Sequence, residues 1–237
     1  MYPMAILAGG LATRMRPLTA TIPKALLDVN GEPFIAHQLR LLAGWGVARA
    51  VVCAGYFGEQ IEDYVGDGHR FGLRVAFSHD GDHLLGTAGA LKRALPLLGE
   101  RFLVIYGDSY LPCDARAAVR AFDTSGKLAL MMVVRNEGRW DASNVIFEGG
   151  RIVTYDKKAR STAMRHIDYG LGVFDARAFT DVPADQPSCL HDVYQALLAR
   201  GELAGYEVGE RFYEIGSFQG LEELCRYLQK NPLRHTA

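Results

Sequence analysis

No apolar run in this 237-residue chain approaches the length needed to cross a bilayer. The N-terminus lacks the basic-then-apolar pattern of an export signal. Both absences argue against a membrane partner. Cysteine is scarce and scattered: Cys53, Cys113, Cys189 and Cys225 show no paired spacing. That excludes a disulfide scaffold or a cysteine-based zinc site and leads to the expectation of a reducing, cytoplasmic home. There is no excess of one charge, with 26 Lys and Arg against 27 Asp and Glu. A nucleic-acid partner steered by a global positive field is therefore not expected, and an anionic ligand must be held by local cations. The seven histidines form neither a ligand spacing nor a triad, and His37 reads as a packing or surface residue. Repeats, low-complexity tracts and linkers are missing too. What is plentiful is apolar material, 49% of residues, which suits one compact α/β unit with a substantial core.

The most informative stretch is Leu7-Ala8-Gly9-Gly10-Leu11-Ala12-Thr13-Arg14-Met15-Arg16-Pro17, with Pro23-Lys24-Ala25-Leu26 close behind. It follows a short apolar run, Met4 to Leu7, that reads as a buried strand. Two adjacent glycines let a backbone turn sharply and approach a ligand. Their amide N–H groups suit phosphate oxygens. Arg14, Arg16 and Lys24 add positive charge, so the guest expected here is a polyphosphate. The turn lacks the Gly-Lys-Ser/Thr ending of a P-loop and the third glycine of a dinucleotide fingerprint. An ordinary glycine turn with solvated basic neighbours would explain Gly9-Gly10 alone, but not the whole spaced set.

Further along, Pro33 opens a helix to about Ala43, ended by Gly44 and Gly46. Strands are predicted at Ala48–Ala54, Leu73–Phe77 and Phe102–Tyr106. Helices are predicted at Gly58–Val65, Thr87 to about Leu95 with a stop near Pro96, and Asp114–Phe122. This β-α alternation implies a parallel sheet with helices on both faces. After Lys127 the texture is richer in strands: Leu128–Val134, a hairpin of Asn144–Phe147 and Arg151–Tyr155, and Ile167–Phe174. Helices follow at Leu190–Ala199 and after Ser217, the latter with Leu221, Leu224, Cys225 and Leu228 on one face. The expected architecture is an α/β, Rossmann-like three-layer sandwich. One domain is expected over 1–237, with the polyphosphate site in its first half at 1–126. A strand-rich lid and C-terminal helix would occupy 127–237. Two independent domains are the alternative.

Open parallel sheets bind ligands beyond the carboxyl ends of their strands. Gly9-Gly10 marks one such end and Gly107-Asp108 another. A carboxylate facing a triphosphate needs a cation between, and magnesium is the usual one, so Asp108 is the first candidate metal ligand. Small residues in Leu85-Gly86-Thr87-Ala88-Gly89-Ala90-Leu91 would let a flat base lie against a helix start, or simply let that helix pack closely on the sheet.

In order and spacing, these elements resemble the sugar-1-phosphate nucleotidyltransferases. The signature Leu-Ala-Gly-Gly, three residues, Arg, then Arg-Pro-Leu-Thr and Pro-Lys-Ala/Pro-Leu appears at Leu7–Gly10, Arg14, Arg16–Thr19 and Pro23–Leu26. The resemblance spans roughly Met4 to Leu224 and implies the nucleotide-diphospho-sugar transferase fold. It implies that Leu7, Ala8, Gly9, Gly10, Gly86, Thr87 and Ala88 bind the nucleotide. Arg14 would hold the leaving phosphates and Lys24 the α-phosphate charge. Asp108 and Glu214 would bind Mg2+, Glu214 standing in Phe212-Tyr213-Glu214-Ile215-Gly216-Ser217 where the family has Asp. Gly107, Asp156, Lys157, Asp168 and Gly170 would line the sugar-phosphate site. Asp156 stands where the family often has Glu, and Asp168 where it has Asn. Lys158 matches no role. No nucleophile is required, because a sugar phosphate is largely ionised at neutral pH, its second pKa being about 6. Alignment and charge neutralisation suffice.

The implied partners are a nucleoside triphosphate and a sugar 1-phosphate. Length and the N-terminal run resemble most the heptose-1-phosphate guanylyltransferases and N-acetylmuramate-1-phosphate uridylyltransferases, with the former preferred; thymidylyl and cytidylyl transfer are alternatives. The lack of a C-terminal repeat region speaks against the bifunctional acetyltransferase relatives. A non-catalytic regulatory subunit would be expected to have lost Arg14, Lys24 or Asp108. A cytidylyltransferase for a non-sugar phosphate would lack Leu85–Leu91 and Lys157. The exposed face of the last helix would support a homodimer.

Overall fold

A computed structural model describes residues 1–159 and 161–231; residue 160 and residues 232–237 lie outside the described residues. The chain begins with β1 (Met4–Leu7), a two-residue ladder of β2 (Asp28–Val29) and β3 (Glu32–Pro33), then α1 (Phe34–Gly44). Next come β4 (Arg49–Ala54), α2 (Gly58–Val65), β5 (Arg74–His79), α3 (Gly86–Leu98) and β6 (Arg101–Tyr106). β7 (Ser109–Tyr110) and α4 (Ala115–Ser125) follow, then β8 (Ala129–Arg135), β9 (Val145–Glu148), β10 (Arg151–Tyr155) and β11 (His166–Asp175). The chain finishes with α5 (Leu190–Ala199), β12 (Leu203–Val208), β13 (Tyr213–Glu214) and α6 (Phe218–Lys230).

Nine of these strands make one sheet. β5, β4, β1 and β6 are parallel neighbours in that order, with β1 at the centre of the run. β11 then pairs antiparallel with β6, and β8 with β11, so the second half extends the same sheet. The β9–β10 hairpin turns at Gly149-Gly150, as expected, and joins through β11.

Strand alternation divides the core into two layers. Met4, Ile6, Val52 and Ile105 point to one face, against α1, α2, α4 and α6. Ala5, Val51, Cys53 and Val104 point to the other, against α3 and α5. Helices on both faces of a sheet whose central run is parallel give the expected three-layer sandwich.

Three local features differ from expectation. α3 continues to Leu98 with Pro96 inside it. Pro96 is exposed in the last turn, so its one missing helical bond falls on the solvent side, and Gly99 closes the helix by donating to Leu95. The strand β12, parallel to β8, is not evident from the sequence. Gly205 breaks its apolar pattern, and a Cβ there would stand 2.6 Å from Phe147. The ladders β2–β3 and β7–β13 are each too short to show in composition. By contrast α6 docks through the residues its spacing selects: Leu224 is fully buried and Leu228 nearly so. Leu224→Ala should cost about 2–5 kcal/mol, measured as a loss of unfolding free energy in urea.

Candidate active site

The carboxyl ends of β1, β4 and β6 open into a cleft of about 240 Å³, lined by Leu7, Ala8, Gly9, Gly10, Lys24, Gly86, Thr87, Gly107 and Asp108 among others. Of the residues expected to meet a nucleotide or metal, only Arg14, Ala88 and Glu214 fall outside this lining. Glycine is required at two points. A Cβ on Gly107 would lie 2.7 Å from the Leu7 carbonyl, so glycine lets β6 end against β1. A Cβ on Gly9 would lie 3.2 Å from the Gly55 amide. Neither Gly9 nor Gly10 is left-handed; that turn is made at Ala12, at φ 49°. Thr19, buried, pins the bend by donating its hydroxyl to the Ala12 carbonyl at 2.9 Å.

The Pro23-Lys24 segment brings Lys24 Nζ to 2.8 Å from Asp108 Oδ2. Behind them Gln38, fully buried on α1, donates to the carbonyls of Tyr106 and Ser109 at 2.9 and 2.8 Å. It braces the turn that carries Gly107-Asp108. Glu214 reaches the same place through the β7–β13 ladder, and the Ile215 amide donates to the Asp108 carbonyl at 3.0 Å. The Glu214 carboxylate is occupied locally: Oε2 accepts from the Gly216 amide at 2.5 Å and Oε1 from the Ser217 hydroxyl at 2.7 Å. Arg14 Nη2 and Lys24 Nζ each lie 3.5 Å from where a Gly216 Cβ would stand, so both cations converge on that turn.

Asp108 supplies one hard oxygen donor group to the cleft, with Glu214 on the neighbouring strand. Among the described residues no group of three or more His, Cys, Asp or Glu gathers to hold a metal. This donor set fits magnesium, which takes one or two carboxylates and completes its shell with water and phosphate oxygens.

The small-residue motif serves packing as well as lining. The Ala88 amide donates to the Ser188 carbonyl at 2.9 Å, and Cβ atoms on Gly86 or Gly89 would come within 2.6 Å of the 186–188 backbone. Beyond Tyr106, which lines the cleft, lies a second polar group. Asp168 Oδ2 is 3.3 Å from both Lys157 Nζ and the Tyr155 hydroxyl. Its Oδ1 accepts from the Gly170 amide at 3.0 Å, where Gly170 takes φ 90° at a break in the β8–β11 register. Lys157 also reaches the Tyr106 hydroxyl at 3.5 Å. Burial alone would lower the Lys157 ammonium, but Asp168 and Tyr106 outweigh it and hold it above the lysine range. Asp156 stands apart: its Oδ1 accepts from the Ala159 and Lys158 amides, which hold its carboxyl below the usual range.

The sequence reading omitted Asp80. It lines the cleft, is 5% exposed, and accepts from the Leu85 amide at 3.1 Å. Burial pushes its carboxyl up, with the Leu85 amide and Arg93 opposing. It follows β5 directly, so the strand-end argument that selects Asp108 applies to it as well. Cys53 also lines the cleft, but burial pushes its thiol up to about 12, which removes it as a nucleophile at neutral pH.

Comparison with known proteins identifies the family and the fold. The sequence profile described as Nucleotidyl transferase matches residues 4–231. A mannose-1-phosphate guanyltransferase beta-B of Xenopus laevis is 29% identical over 237 residues, covering 97% of this chain and 66% of that protein. An N-acetylmuramate alpha-1-phosphate uridylyltransferase of Neisseria meningitidis serogroup B is 45% identical over 124 residues, 52% of each chain. The chain thus spans just under two thirds of the Xenopus relative and about half of the Neisseria one. Among solved structures, a Bacillus anthracis protein assigned as a glucose-1-phosphate thymidylyltransferase superposes with a TM-score of 0.87 at 21% identity, covering 98% of this chain and 97% of that one. HddC from Yersinia pseudotuberculosis, complexed with GMP-PN, superposes with a TM-score of 0.80 at 24% identity, covering 96% and 100%. At these identities the two structures establish a shared fold.

Because the folded Asp80 carboxyl lies above its unfolded value, its ionised form costs stability at neutral pH, and that cost fades as pH falls through the raised value. Asp80→Asn should therefore melt at or above the wild-type temperature at pH 7, with the gap closing towards pH 4. Paired thermal melts at the two pH values check this.

Proposed function

This chain belongs to the nucleotidyl transferase family, and from that premise we propose that it transfers a nucleotidyl group from a nucleoside triphosphate to a sugar 1-phosphate. The observation that carries the reading is the 2.8 Å Lys24–Asp108 pair set in a glycine-lined strand-end cleft. A sugar-phosphate oxygen forms a bond to the α-phosphorus. The bond from that phosphorus to the bridging β-phosphate oxygen breaks, and pyrophosphate leaves. No group on the protein needs to remove a proton, since the attacking phosphate is already largely ionised, with a second pKa of about 6.

Each side chain then has a task in alignment or charge. The Gly9 and Gly10 amides and Arg14 hold the triphosphate, and Lys24 moves from Asp108 to the α-phosphate oxygens. Asp108 would hold Mg2+, and Glu214, whose two oxygens each accept one bond from its own segment, keeps a lone pair on each that would serve the same cation. A bound Mg2+ supplies neutralisation of charge on the phosphates. Lys157 seats the incoming phosphate.

GTP is the nucleotide we infer. A carboxylate only accepts hydrogen bonds, and guanine offers two adjacent donors on its pairing edge, where uracil offers one. Asp80 supplies that carboxylate inside the cleft. The Xenopus relative is named for mannose 1-phosphate and guanyl transfer. D-glycero-D-manno-heptose 1-phosphate has the mannose ring configuration and is the preferred acceptor. A uridylyltransferase acting on another sugar 1-phosphate is the second reading, favoured by the 45% identity to the Neisseria protein. A non-catalytic binding subunit is disfavoured because Arg14, Lys24 and Asp108 are all retained.

Pyrophosphate release from GTP, UTP, dTTP and CTP should be assayed with mannose, manno-heptose, glucose and N-acetylmuramate 1-phosphates. Lys24→Ala and Asp108→Asn should each lose about 100- to 1,000-fold in turnover, by analogy with removal of an oxyanion donor. Both should retain the wild-type circular dichroism spectrum. Full turnover in both variants would refute these roles.

A further inference from the structure

We propose that Asp168 restricts the acceptor to uncharged sugars, by cancelling the charge of Lys157 next to Tyr106, the cleft-lining residue that Lys157 reaches. The inference rests on the transferase reading above and names the acceptor class of that same site.

The Asp168 side chain is only 4% exposed, and its one cationic partner among the described residues is Lys157, itself 40% exposed. Asp168 is fixed from every side: Gly170 donates to Oδ1, Tyr155 and Lys157 to Oδ2, and the Asp168 amide is held by Asn144 Oδ1 at 2.9 Å. The carboxylate therefore does not swing away when a ligand arrives. Lys157 cannot leave it without stranding a buried charge, which is strongly unfavourable. An ammonium has three N–H groups, however. With one on Asp168 and one on the Tyr106 hydroxyl, the third remains for a phosphate oxygen. The pair can thus seat the phosphate while contributing no net positive charge for a second anion. Tyr106, half-buried in the cleft lining, offers a neutral hydroxyl beside the pair, and Tyr155 and Tyr194 are buried, so none of the three supplies a cation. Among the described residues, a sugar bearing a carboxylate finds no free cation there to offset its desolvation, whereas a neutral polyol needs none. With asparagine at this position, Lys157 would keep its full charge and an acidic sugar would be tolerated.

The test compares kcat/KM for mannose and glucose 1-phosphates with that for glucuronate and N-acetylmuramate 1-phosphates, using the triphosphate that the wild type accepts. Glucose and glucuronate share a ring and differ in the carboxylate. The wild type should favour glucose over glucuronate by about tenfold or more. Asp168→Asn should raise kcat/KM for glucuronate in absolute terms, mainly through KM, and narrow the ratio to about threefold or less. A merely structural defect lowers both substrates together and cannot produce that gain. Should the variant fail to fold, inhibition of wild-type transfer decides the matter: glucuronate 1-phosphate should inhibit at least about tenfold more weakly than glucose 1-phosphate. Equal use or equal inhibition by the two sugars in wild type, or an unchanged ratio in the variant, would overturn the proposal. If wild type transfers neither to any of these four sugars nor to manno-heptose 1-phosphate, the transferase reading itself falls.

Discussion

The cleft depends on one ion pair, Lys24 on Asp108, joining a loop near the N-terminus to the end of β6 across 84 residues of sequence. A partly exposed pair of this kind contributes little stability by itself. Its importance is positional, since both partners are mounted on braced turns. Thr19 fixes the bend at Ala12 that precedes Lys24, and Gln38 fixes the Tyr106–Ser109 turn that carries Asp108. The two charges are held at hydrogen-bond distance. On the proposed reading, binding of a metal-complexed triphosphate at this point would be an exchange of partners. Lys24 would trade a carboxylate for phosphate oxygens, and Asp108 would trade an ammonium for a divalent cation. Neither charge need be left bare, which keeps the electrostatic cost of filling the cleft low.

The same exchange explains why the N-terminal half was legible from sequence. A strand-end site is built from consecutive residues: a glycine for close approach, then a charged residue, read directly as Gly9-Gly10 and Gly107-Asp108. The periodicity that produces the two core layers is equally local, so β1, β4, β6 and the two faces of helices were visible. What stayed hidden depends on contacts between distant segments. β12 is a strand because β8 offers it a parallel edge, despite Gly205 in its middle. Gln38, a polar residue with no motif around it, is fully buried, because two carbonyls of the Asp108 turn accept from its amide. Asp80 belongs to no sequence motif, although it follows a strand just as Asp108 does. Gly9 and Gly10 were read as the turn itself, whereas the left-handed residue is Ala12 and Gly9 is there for proximity to Gly55.

The carboxylates at Asp168 and Glu214 can be understood together. Each stands at a place where the resembling family has a different side chain, and each is tied down by the chain's own donors. The consequences differ because their surroundings differ. Glu214 is bound by one amide and one hydroxyl at the start of α6, neutral donors that stabilise a negative charge without cancelling it. Arg14 and Lys24 lie close by, so its charge faces two cations that converge on the Gly216 turn. Asp168 is bound by a lysine, and its field is spent on that partner. On the proposed reading, Glu214 would steady the two cations that meet the phosphates, and Asp168 would offset the one cation at the sugar end. A site arranged this way would concentrate its binding of anions on the phosphates common to its substrates, and would leave the sugar to be chosen by neutral hydrogen bonding and shape.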